Sequence, residues 1–457
     1  MRAFSLEHAL LPQGWASKVL IEVDAAGMIA SVTTDSEAGN AERIAGCVLP
    51  GMPNLHSHAF QRALAGLTEK GGPAHDSFWS WREQMYRFLE RLTPDDVEAI
   101  ATRLYIEMLE AGYTTVAEFQ YLHHDPKGEV YSQADEMSQR LIAAAKTAGI
   151  ALTLLPVFYA HSQFGGEPPT EGQRRFIHSV NGFNRLVSDL HAQLIHEPQM
   201  RLGIAPHSLR AVTPHELAAV VAHFEILDPR GPIHIHAAEQ RKEVEDSLAW
   251  SGCRPVAWLL EHAGLDPRWC LIHATHMGPD EVAGLAATGA VAGLCPSTEA
   301  DLGDGFFAAP EYLAARGQFG IGGDSHVGVD PFFELRLFEY GQRLRAQRRN
   351  VLAGETGASL GEALYRRAAI GGARAVGQYV GSLEVGRRAD WVVLNGDDAA
   401  LAEHAPQQIL DAAIFGPARQ PVRDVMVAGQ WRVRDGRHAA AETSKAAYRA
   451  SLRRLLQ

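Results

Sequence analysis

The hydrophobic pattern alternates between two kinds of segment from about residue 48 to residue 325. Short apolar runs, too short for helices, are followed by longer stretches in which apolar residues recur every three or four positions. Eight such runs occur, at residues 47–58, 114–120, 150–159, 200–207, 232–239, 269–276, 290–297 and 318–326. Strands that alternate with helices predict a parallel sheet, and eight strands are the number that a closed (β/α)8 barrel of the TIM type requires.

The clearest helical stretches lie between these runs. Residues 93–112 begin with Thr93 as a cap and Pro94 at the first helical position, and they end in Gly112. Residues 132–149 have the same form and also end in a glycine. Both stretches predict amphipathic helices that cover the sheet.

The two ends of the chain follow a different pattern. Residues 17–49 and 379–435 are short alternating strands broken by Gly and Asp turns, which is typical of an antiparallel sheet. We expect both ends to join in one small β-sandwich domain. The predicted organisation is residues 1–49 as its first part, 50–375 as the α/β barrel, and 376–457 as its second part with a terminal helix.

Composition and charge exclude several classes of protein. The formal net charge is −12, which disfavours nucleic acid and anionic membranes as partners. No apolar run approaches the roughly 18 residues needed to span a bilayer. Glu7 and His8 stand where a signal peptide would be apolar, so a cytoplasmic location is expected. The four cysteines lack CxxC spacing and are expected to be reduced and buried, so a metal would not be bound by thiolates.

Ionisable and hydrogen-bonding side chains cluster at the ends of the apolar runs. Every run except the seventh ends at or near such a residue. In chain order these are His56, His58, Glu118, Tyr121, Tyr159, His161, His207, His236, Glu239, His273, His276 and Asp324. The carboxyl ends of barrel strands converge on one face, where the enzymes of this fold carry out their chemistry. The residues are therefore expected to be neighbours in space.

The first of these ends, "PGMPNLHSHAF", holds two histidines one residue apart. On a strand His56 and His58 point to the same side and can chelate one cation, although two hydrogen-bonded histidines would explain the pair alone. A second pair, His234 and His236, and the carboxylate Asp324 favour the metal. Three imidazoles and a carboxylate with room for water are typical of a catalytic site that activates water.

The motifs "PGMPNLHSHAF", "HIHAAE", "LIHATHM", "GIGGDSH" and "GSLEVGRRADWVVL" together resemble the amidohydrolase superfamily, in its single-metal deaminase branch. The resemblance covers nearly the whole chain. It implies a homodimer and one divalent metal ion, most readily Zn²⁺, since His207 stands where two-metal members have a bridging lysine. The implied metal ligands are His56, His58, His236 and Asp324. The implied catalytic residues are Glu239, His273 and Asp324. His236 rather than His234 is the implied ligand, because the family's ligand stands three residues before the catalytic glutamate, and His276 is expected to be structural or to support the site indirectly.

Within this branch the chain resembles the deiminases of histidine degradation that act on N-formimidoyl-L-glutamate. The resemblance rests on "NLHSHAFQRALAG", "SFWSWREQMY", "AEFQYLHH", "APHSLRAV" and "LCPSTEADLGDG". Independently of it, a dicarboxylate needs cations that fork carboxylates, and Arg82 and Arg210 follow the first and fourth strand ends. The resemblance implies a substrate-binding set of Gln61, Arg82, Tyr121, His207 and Arg210. As alternatives, Arg82 would be a surface cation of a helix, Tyr121 a half-buried aromatic residue and Gln61 a cap.

The expected reaction is hydrolysis of the formimino group, with N-formyl-L-glutamate and ammonia as products. Asp324 would take a proton from water, His273 would orient the nucleophile and Glu239 would carry a proton to the leaving nitrogen. Glu299 and Asp304, in the polar segment 297–305, either contact the formimino nitrogen or face solvent. A deaminase of guanine, cytosine or a thio-adenosine is the nearest alternative, and a catalytically silent scaffold is a more distant one.

Overall fold

The structure is a computed structural model that describes residues 1–69, 78–354 and 358–457. The strands are β1 (Arg2–Leu11), β2 (Gly14–Val23), β3 (Ile29–Thr33), β4 (Glu42–Pro50), β5 (Met52–Ser57), β6 (Tyr113–Gln120), β7 (Ala151–Phe158), β8 (Met200–Leu202), β9 (Ala205–Pro206), β10 (Ile233–Ala237), β11 (Trp269–His273), β12 (Val291–Leu294), β13 (Gln318–Ile321), β14 (Trp391–Leu394), β15 (Val422–Val427), β16 (Gln430–Arg434) and β17 (Arg437–His438).

The helices alternate with the central strands and continue to the C-terminus. They are α1 (Phe78–Leu89), α2 (Pro94–Ala111), α3 (Glu136–Ala148), α4 (Val180–Leu194), α5 (Pro214–Leu227), α6 (Arg241–Ser251), α7 (Pro255–His262), α8 (Pro279–Thr288), α9 (Pro296–Asp301), α10 (Ala309–Ala314), α11 (Pro331–Ala346), α12 (Leu360–Ala375), α13 (Pro406–Phe415) and α14 (Ala441–Leu455). Short 3₁₀ helices lie at Ala59–Leu64 and Glu171–Gln173. Among the described residues, no helix is both long and apolar enough to cross a membrane.

The central strands form two parallel sheets, as the alternating pattern predicts. One contains β5, β6, β7 and β8, with β9 on β7, and the other contains β10, β11, β12 and β13. Isolated bridges link the sheets at both edges, between Ser57 and Asp324 and between Ile204 and Ile233. All eight predicted runs contain a strand of these sheets. The first run also includes the end of β4, and the fourth run is divided into β8 and β9.

The predicted helices are present with small shifts in their limits. The Thr93 side chain accepts a hydrogen bond from the Asp96 backbone N–H and caps α2, and Gly112 ends this helix with a left-handed φ of 105°. α3 begins at Glu136 rather than at residue 132, because Asp135 occupies its N-cap position and a turn precedes it.

The two chain ends form one mixed sheet, which corrects the predicted antiparallel β-sandwich. The strand order is β17-β16-β15-β14-β4-β1-β2-β3, and one face encloses a separate hydrophobic core that includes Phe4 and Trp391. β1 and β4 are parallel because the chain crosses back after β3. The sequence did not predict β1. Its register on β4 shifts between Leu6 and His8, and this irregularity breaks the alternating pattern.

A glycine allows the last barrel strand to approach the first. A Cβ atom on Gly322 would lie 2.8 Å from the Cβ atom of His56, closer than side chains allow. The backbone N–H of Asp324 donates to the His56 carbonyl at 3.0 Å, and the His58 N–H donates to the Asp324 carbonyl at 3.0 Å. The strand ends that carry His56, His58 and Asp324 are therefore held together by backbone hydrogen bonds.

Candidate active site and metal centre

The two histidines of the "HSH" motif point to one side at the end of β5. Their Nε2 atoms are 3.1 Å apart, and both side chains are buried. The Nδ1–H group of His58 donates to the Phe119 carbonyl at 3.0 Å. Since this proton is held on Nδ1, the lone pair of His58 Nε2 faces His56. The period-two geometry of the strand thus gives the predicted chelating pair.

His236, at the end of β10, completes a group of three imidazoles. Its Nε2 atom is 3.1 Å from His56 Nε2, and its Nδ1–H donates to the His207 carbonyl at 3.2 Å. His234 points away from the group, because its Nε2 donates to the Ala375 carbonyl at 2.8 Å. Of the two candidates in "HIHAAE", only His236 lies with His56 and His58.

Asp324 brings a carboxylate to the same group. Its Oδ1 atom is 3.3 Å from His58 Nε2 and 3.6 Å from His56 Nε2. The residue has a left-handed φ of 48°, which Asp tolerates better than most residues. This turn aims the side chain from the end of β13 towards β5.

This donor set fits a divalent metal ion. Burial lowers the pKa of His58 to about 3 and lowers the pKa values of His56 and His236 well below the ordinary range, so the three rings are neutral. Their three Nε2 atoms converge, an arrangement that a shared cation stabilises and that protonation does not relieve. Neutral imidazoles with one carboxylate suit Zn²⁺ and related first-row ions. The four ligands predicted from the sequence are brought together.

Glu239 and His273 lie beside this group. His273 Nε2 is 3.7 Å from Glu239 Oε1 and 3.7 Å from Asp324 Oδ2. Burial would lower the pKa of His273, but Glu239, Glu299 and Asp324 outweigh it and raise this pKa to about 10. Burial raises the pKa of Asp324 to about 7. The arrangement can hold and pass protons next to the imidazole group.

The backbone that carries Glu239 is fixed by a second carboxylate. Glu243 accepts hydrogen bonds from the backbone N–H groups of Ala238 and Glu239, at 3.0 Å and 3.2 Å. Ala238 has a left-handed φ of 53°, so the chain turns sharply after β10. Glu243 therefore stabilises the turn that presents Glu239.

A cavity opens in front of these residues. Its walls include all five predicted substrate-binding residues, which are Gln61, Arg82, Tyr121, His207 and Arg210. They also include His58, His236, Glu239, His273 and Asp324. The structure therefore brings the predicted catalytic and substrate-binding residues to one cavity, together with His58, His236 and Asp324 of the predicted metal ligands. Of the motif that contains Arg82, the first residue, Ser77, lies outside the described residues.

The two arginines are placed on the same cavity from different elements. Arg210 is buried, and Arg82 lies on α1 with its guanidinium 5.8 Å from the centre of the Tyr86 ring. Burial would lower the pKa of Arg210, but Glu243 and Glu239 outweigh it and raise this pKa. Arg82 is half-buried, and its side chain lines the cavity.

Gln61 and Tyr121 form a hydrogen-bonded pair in the cavity wall. The Gln61 Nε2 donates to the Tyr121 hydroxyl at 2.7 Å. Tyr121 is fully buried rather than half-buried, and Gln61 belongs to a 3₁₀ helix and does not cap one. The His207 ring packs beside both the pair and the imidazole group, with its centroid 5.0 Å from that of His236 and 6.1 Å from that of Tyr121.

Other strand-end residues serve the site without lining the cavity. Glu118 accepts hydrogen bonds from the Ser57 hydroxyl at 2.5 Å and from the Ala59 N–H at 2.7 Å, and so holds the "HSH" segment. His161 pairs with Glu216 at 2.9 Å, and His276 Nε2 donates to the Asp304 carbonyl at 2.8 Å. The expectation of a structural His276 agrees with this contact.

Several walls of the cavity were not predicted from the sequence. They are the side chains of Trp81, Met85, Tyr86, Phe176, Thr298, Leu302 and Ser325. These residues lie on helices or turns, where an apolar or small residue has no distinctive pattern. Tyr159 also lines the cavity, and the sequence placed it at this face as a strand-end residue without assigning it a role.

Comparisons with known proteins agree with this geometry. The model of the Amidohydrolase family matches residues 47–432, and the model described as "Formimidoylglutamate deiminase HutF, N-terminal domain" matches residues 1–46. The formimidoylglutamate deiminase of Pseudomonas aeruginosa is 54% identical over 450 residues, which are 98% of each chain. The 8-oxoguanine deaminase of the same species is 29% identical over 398 residues, which are 85% of this chain and 82% of that protein.

A comparison with solved structures shows that the fold is shared with a crystal structure of an amidohydrolase. The amidohydrolase from Brucella melitensis superposes with a TM-score of 0.95 at 50% identity, over 100% of both chains. The chain belongs to the amidohydrolase family, with a barrel of the TIM type, and within it to the formimidoylglutamate deiminase group.

Proposed function

We propose that the protein hydrolyses N-formimidoyl-L-glutamate to N-formyl-L-glutamate and ammonia. One observation carries this proposal: Arg82 and Arg210 line the same cavity as the imidazole group and Glu239. A planar nucleobase has no carboxylates for two guanidinium groups, whereas the glutamate part of this substrate has two. The 54% identity to a formimidoylglutamate deiminase supports the same substrate.

We infer that one divalent metal ion, Zn²⁺, binds to His56, His58, His236 and Asp324. A divalent ion held there would lower the pKa of a bound water molecule and would make hydroxide available at neutral pH. The donor set supports one ion rather than two, because His207 and not a lysine stands at the end of the fourth strand. The Nδ1–H groups of His58 and His236 donate to carbonyls, as ligating histidines usually do.

The proton transfers are assigned to three side chains. Asp324 accepts a proton from the attacking water, and the raised pKa of its buried carboxyl suits this role. His273, with Nε2 facing both Asp324 and Glu239, orients the nucleophile. Glu239 delivers a proton to the formimino nitrogen and regains one from the hydroxyl group of the tetrahedral adduct. Asp324 returns the proton that it took from water to the same nitrogen, so that the C–N bond breaks as the C=O bond forms and ammonia leaves. Each of these groups lines the cavity, within reach of a substrate bound there.

The glutamate part is held at the other end of the cavity. Arg82 and Arg210 pair with its carboxylates, and Gln61, Tyr121 and His207 donate or accept the remaining hydrogen bonds. The Gln61 Oε1 atom is buried without a partner among the described residues, so it is available to a bound N–H group. Binding at this end sets the distance of the formimino carbon from the metal site.

We further propose a closed eight-stranded barrel that spans residues 50–375, with the β domain formed by 1–49 and 376–457. The bridges between the two parallel sheets support closure. The terminal strands share one sheet, which supports a single β domain. We also propose that the protein is a homodimer and acts in the cytoplasm of a cell that degrades histidine. Analytical sedimentation would test the oligomeric state.

An ammonia-release assay on a substrate panel tests the function. The purified protein with one equivalent of Zn²⁺ is given N-formimidoyl-L-glutamate, guanine, cytosine, 8-oxoguanine and 5′-methylthioadenosine. We expect turnover of the first compound, with kcat/KM at least a hundredfold above that of any base. Preference for a base would contradict the proposal. A stoichiometric metal content without turnover of any compound would indicate a silent scaffold.

A further inference from the structure

We propose that Glu299 is a positioning residue that fixes the ring orientation of His273. The proposal rests on the proposed function in one respect, which is the role of His273 in the reaction. It concerns a residue whose role the sequence left open between a substrate contact and a solvent-exposed side chain.

The surroundings of Glu299 exclude both of those alternatives. Its side chain is buried, with 7% of the residue exposed, so it does not face solvent. Thr298 and Leu302 line the substrate cavity, but Glu299 on the same helix, α9, is not among the described residues that form its walls. Glu299 therefore reaches the reacting groups through another side chain.

That side chain is His273. Glu299 Oε1 lies 3.2 Å from His273 Nδ1 and accepts its hydrogen bond. The same oxygen accepts the backbone N–H of Cys295 at 2.8 Å, and the Glu299 N–H donates to the Cys295 carbonyl at 2.9 Å. The carboxylate is thus anchored to the turn between β12 and α9 before it meets the imidazole. An acceptor fixed in this way can define the position of the ring.

The contact determines which nitrogen faces the cavity. With a proton held on Nδ1 by Glu299, the Nε2 atom is the one that lies 3.7 Å from both Glu239 and Asp324. His273 has a left-handed φ of 67°, an unfavourable backbone for a residue with a side chain, which persists only where contacts enforce it. Without Glu299, the ring could rotate about its bond to Cβ.

A double-mutant cycle tests whether Glu299 acts through His273. We expect Glu299→Ala to lower kcat by about 10- to 100-fold, with KM changed by less than about threefold and one metal ion per chain retained. In the His273→Asn background, the same change should lower kcat by less than about threefold further. Equal losses in both backgrounds, or an unchanged kcat in the single variant, would overturn the proposal.

Two further variants control for folding and for charge. Glu299→Gln retains an oxygen that can accept from Cys295 and His273, and we expect a smaller loss of kcat than in Glu299→Ala. Asp301→Ala removes an exposed carboxylate from the same helix and should retain wild-type kcat. A second metal ion per wild-type chain, lost in Glu299→Ala, would instead assign His273, Cys295 and Glu299 to a cation site.

A spectroscopic readout decides the question without any substrate. A ring N–H held by a buried carboxylate gives a slowly exchanging, strongly downfield proton resonance. We expect this resonance in the wild type and its loss in both Glu299→Ala and His273→Asn. Its persistence in Glu299→Ala would show that another group holds the ring. If the panel assay refutes the proposed substrate, this measurement still supports or refutes the contact.

Discussion

The Nε2 atom of His56 lies 3.1 Å from the Nε2 atom of His236, although 180 positions separate the two residues in the chain. The Nδ1–H of His236 is committed to the His207 carbonyl, so its Nε2 presents a lone pair to His56. Two buried and neutral imidazoles in this arrangement gain stability from a cation between them. The approach depends on β5 and β10 ending at the same face of the molecule.

Replacement of His236 should therefore remove the metal. We expect His236→Ala to bind less than a tenth of the wild-type metal content and to have no measurable deiminase activity. It should also lose the stabilisation that ligand binding gives, which is about 4 kcal/mol at a free metal concentration a thousandfold above Kd. Metal analysis and thermal unfolding with and without chelator measure both effects.

His234→Asn is the matched control. His234 is equally buried, but its Nε2 donates to the Ala375 carbonyl. This variant is expected to lose stability and to keep its metal. Loss of metal from His234→Asn alone would contradict the ligand assignment.

Much of the candidate metal centre could be predicted from the sequence, because the carboxyl ends of parallel strands converge on one face. His56, His236 and Asp324 each follow a recognisable apolar run, and parallel strands place such residues together. The choice between His234 and His236 depended on family resemblance, because both lie on one strand face. In the structure His236 lies with His56 and His58, whereas the His234 side chain donates to the Ala375 carbonyl.

Replacement of the proposed proton donor should leave binding intact. We expect Glu239→Gln to lower kcat by about 10²- to 10⁴-fold, the usual contribution of a general acid or base. KM and metal content should change little, because Glu239 is not among the residues assigned to either function. Steady-state kinetics and metal analysis measure these quantities.

Glu245→Gln provides the comparison for Glu239. Glu245 is an exposed carboxylate on α6, the helix that follows Glu239, and its replacement should leave kcat unchanged. A Glu239→Gln enzyme with near-normal turnover would refute the role of that residue.

The two arginines should control substrate affinity. We expect Arg210→Ala and Arg82→Ala each to raise KM by roughly 10- to 100-fold, which corresponds to the loss of a charged hydrogen bond of about 1.5–3 kcal/mol. Arg210→Lys should restore only part of the substrate affinity that Arg210→Ala loses, since an ammonium group cannot form two parallel hydrogen bonds to a carboxylate. Initial rates over a wide substrate range give KM directly.

Arg87→Ala is the control for the clamp. Arg87 is exposed on α1, the helix that carries Arg82, and does not line the cavity. Its replacement should leave KM unchanged. An unchanged KM in both Arg82→Ala and Arg210→Ala would eliminate the carboxylate clamp.

The parts of the site that the sequence did not predict share a physical origin. Glu118 and Glu299 were recognised as polar, but their partners, Ser57 and His273, depend on side-chain packing between elements distant in sequence. In the same way, the sequence predicts β strands at both chain ends but not their pairing. The parallel contact of β1 with β4 is a long-range choice that local pattern does not encode.

A cluster of histidines outside the metal centre should make the fold sensitive to acid. The ring centroids of His123 and His124 lie 4.4 Å and 4.8 Å from that of His178, and His178 Nε2 is buried without a partner among the described residues. Burial lowers the pKa of His178 to about 3, and it lowers those of His123 and His124 as well. The native state therefore keeps these rings neutral.

The sign of the effect follows from the proton counts. An unfolded histidine takes up a proton as the pH falls through about 6.5, whereas His178 in the native state does so only near pH 3. The contribution of these neutral histidines to the stability of the fold is thus fully present above pH 6.5 and declines below it. Each such residue contributes a slope of at most about 1.4 kcal/mol per pH unit.

Replacement of His178 should reduce by one the number of protons taken up on unfolding in acid, and so weaken the pH dependence of the unfolding free energy. We expect His178→Gln to reduce the slope of the unfolding free energy between pH 6 and pH 4.5 by up to about 1.4 kcal/mol per pH unit, the value for one proton. Urea unfolding of the metal-free protein at several pH values measures this slope without competition at the metal site. The exposed His196 provides the control, and His196→Gln should keep the wild-type slope. A His178→Gln slope equal to that of the wild type would show that His178 takes up its proton in the native state.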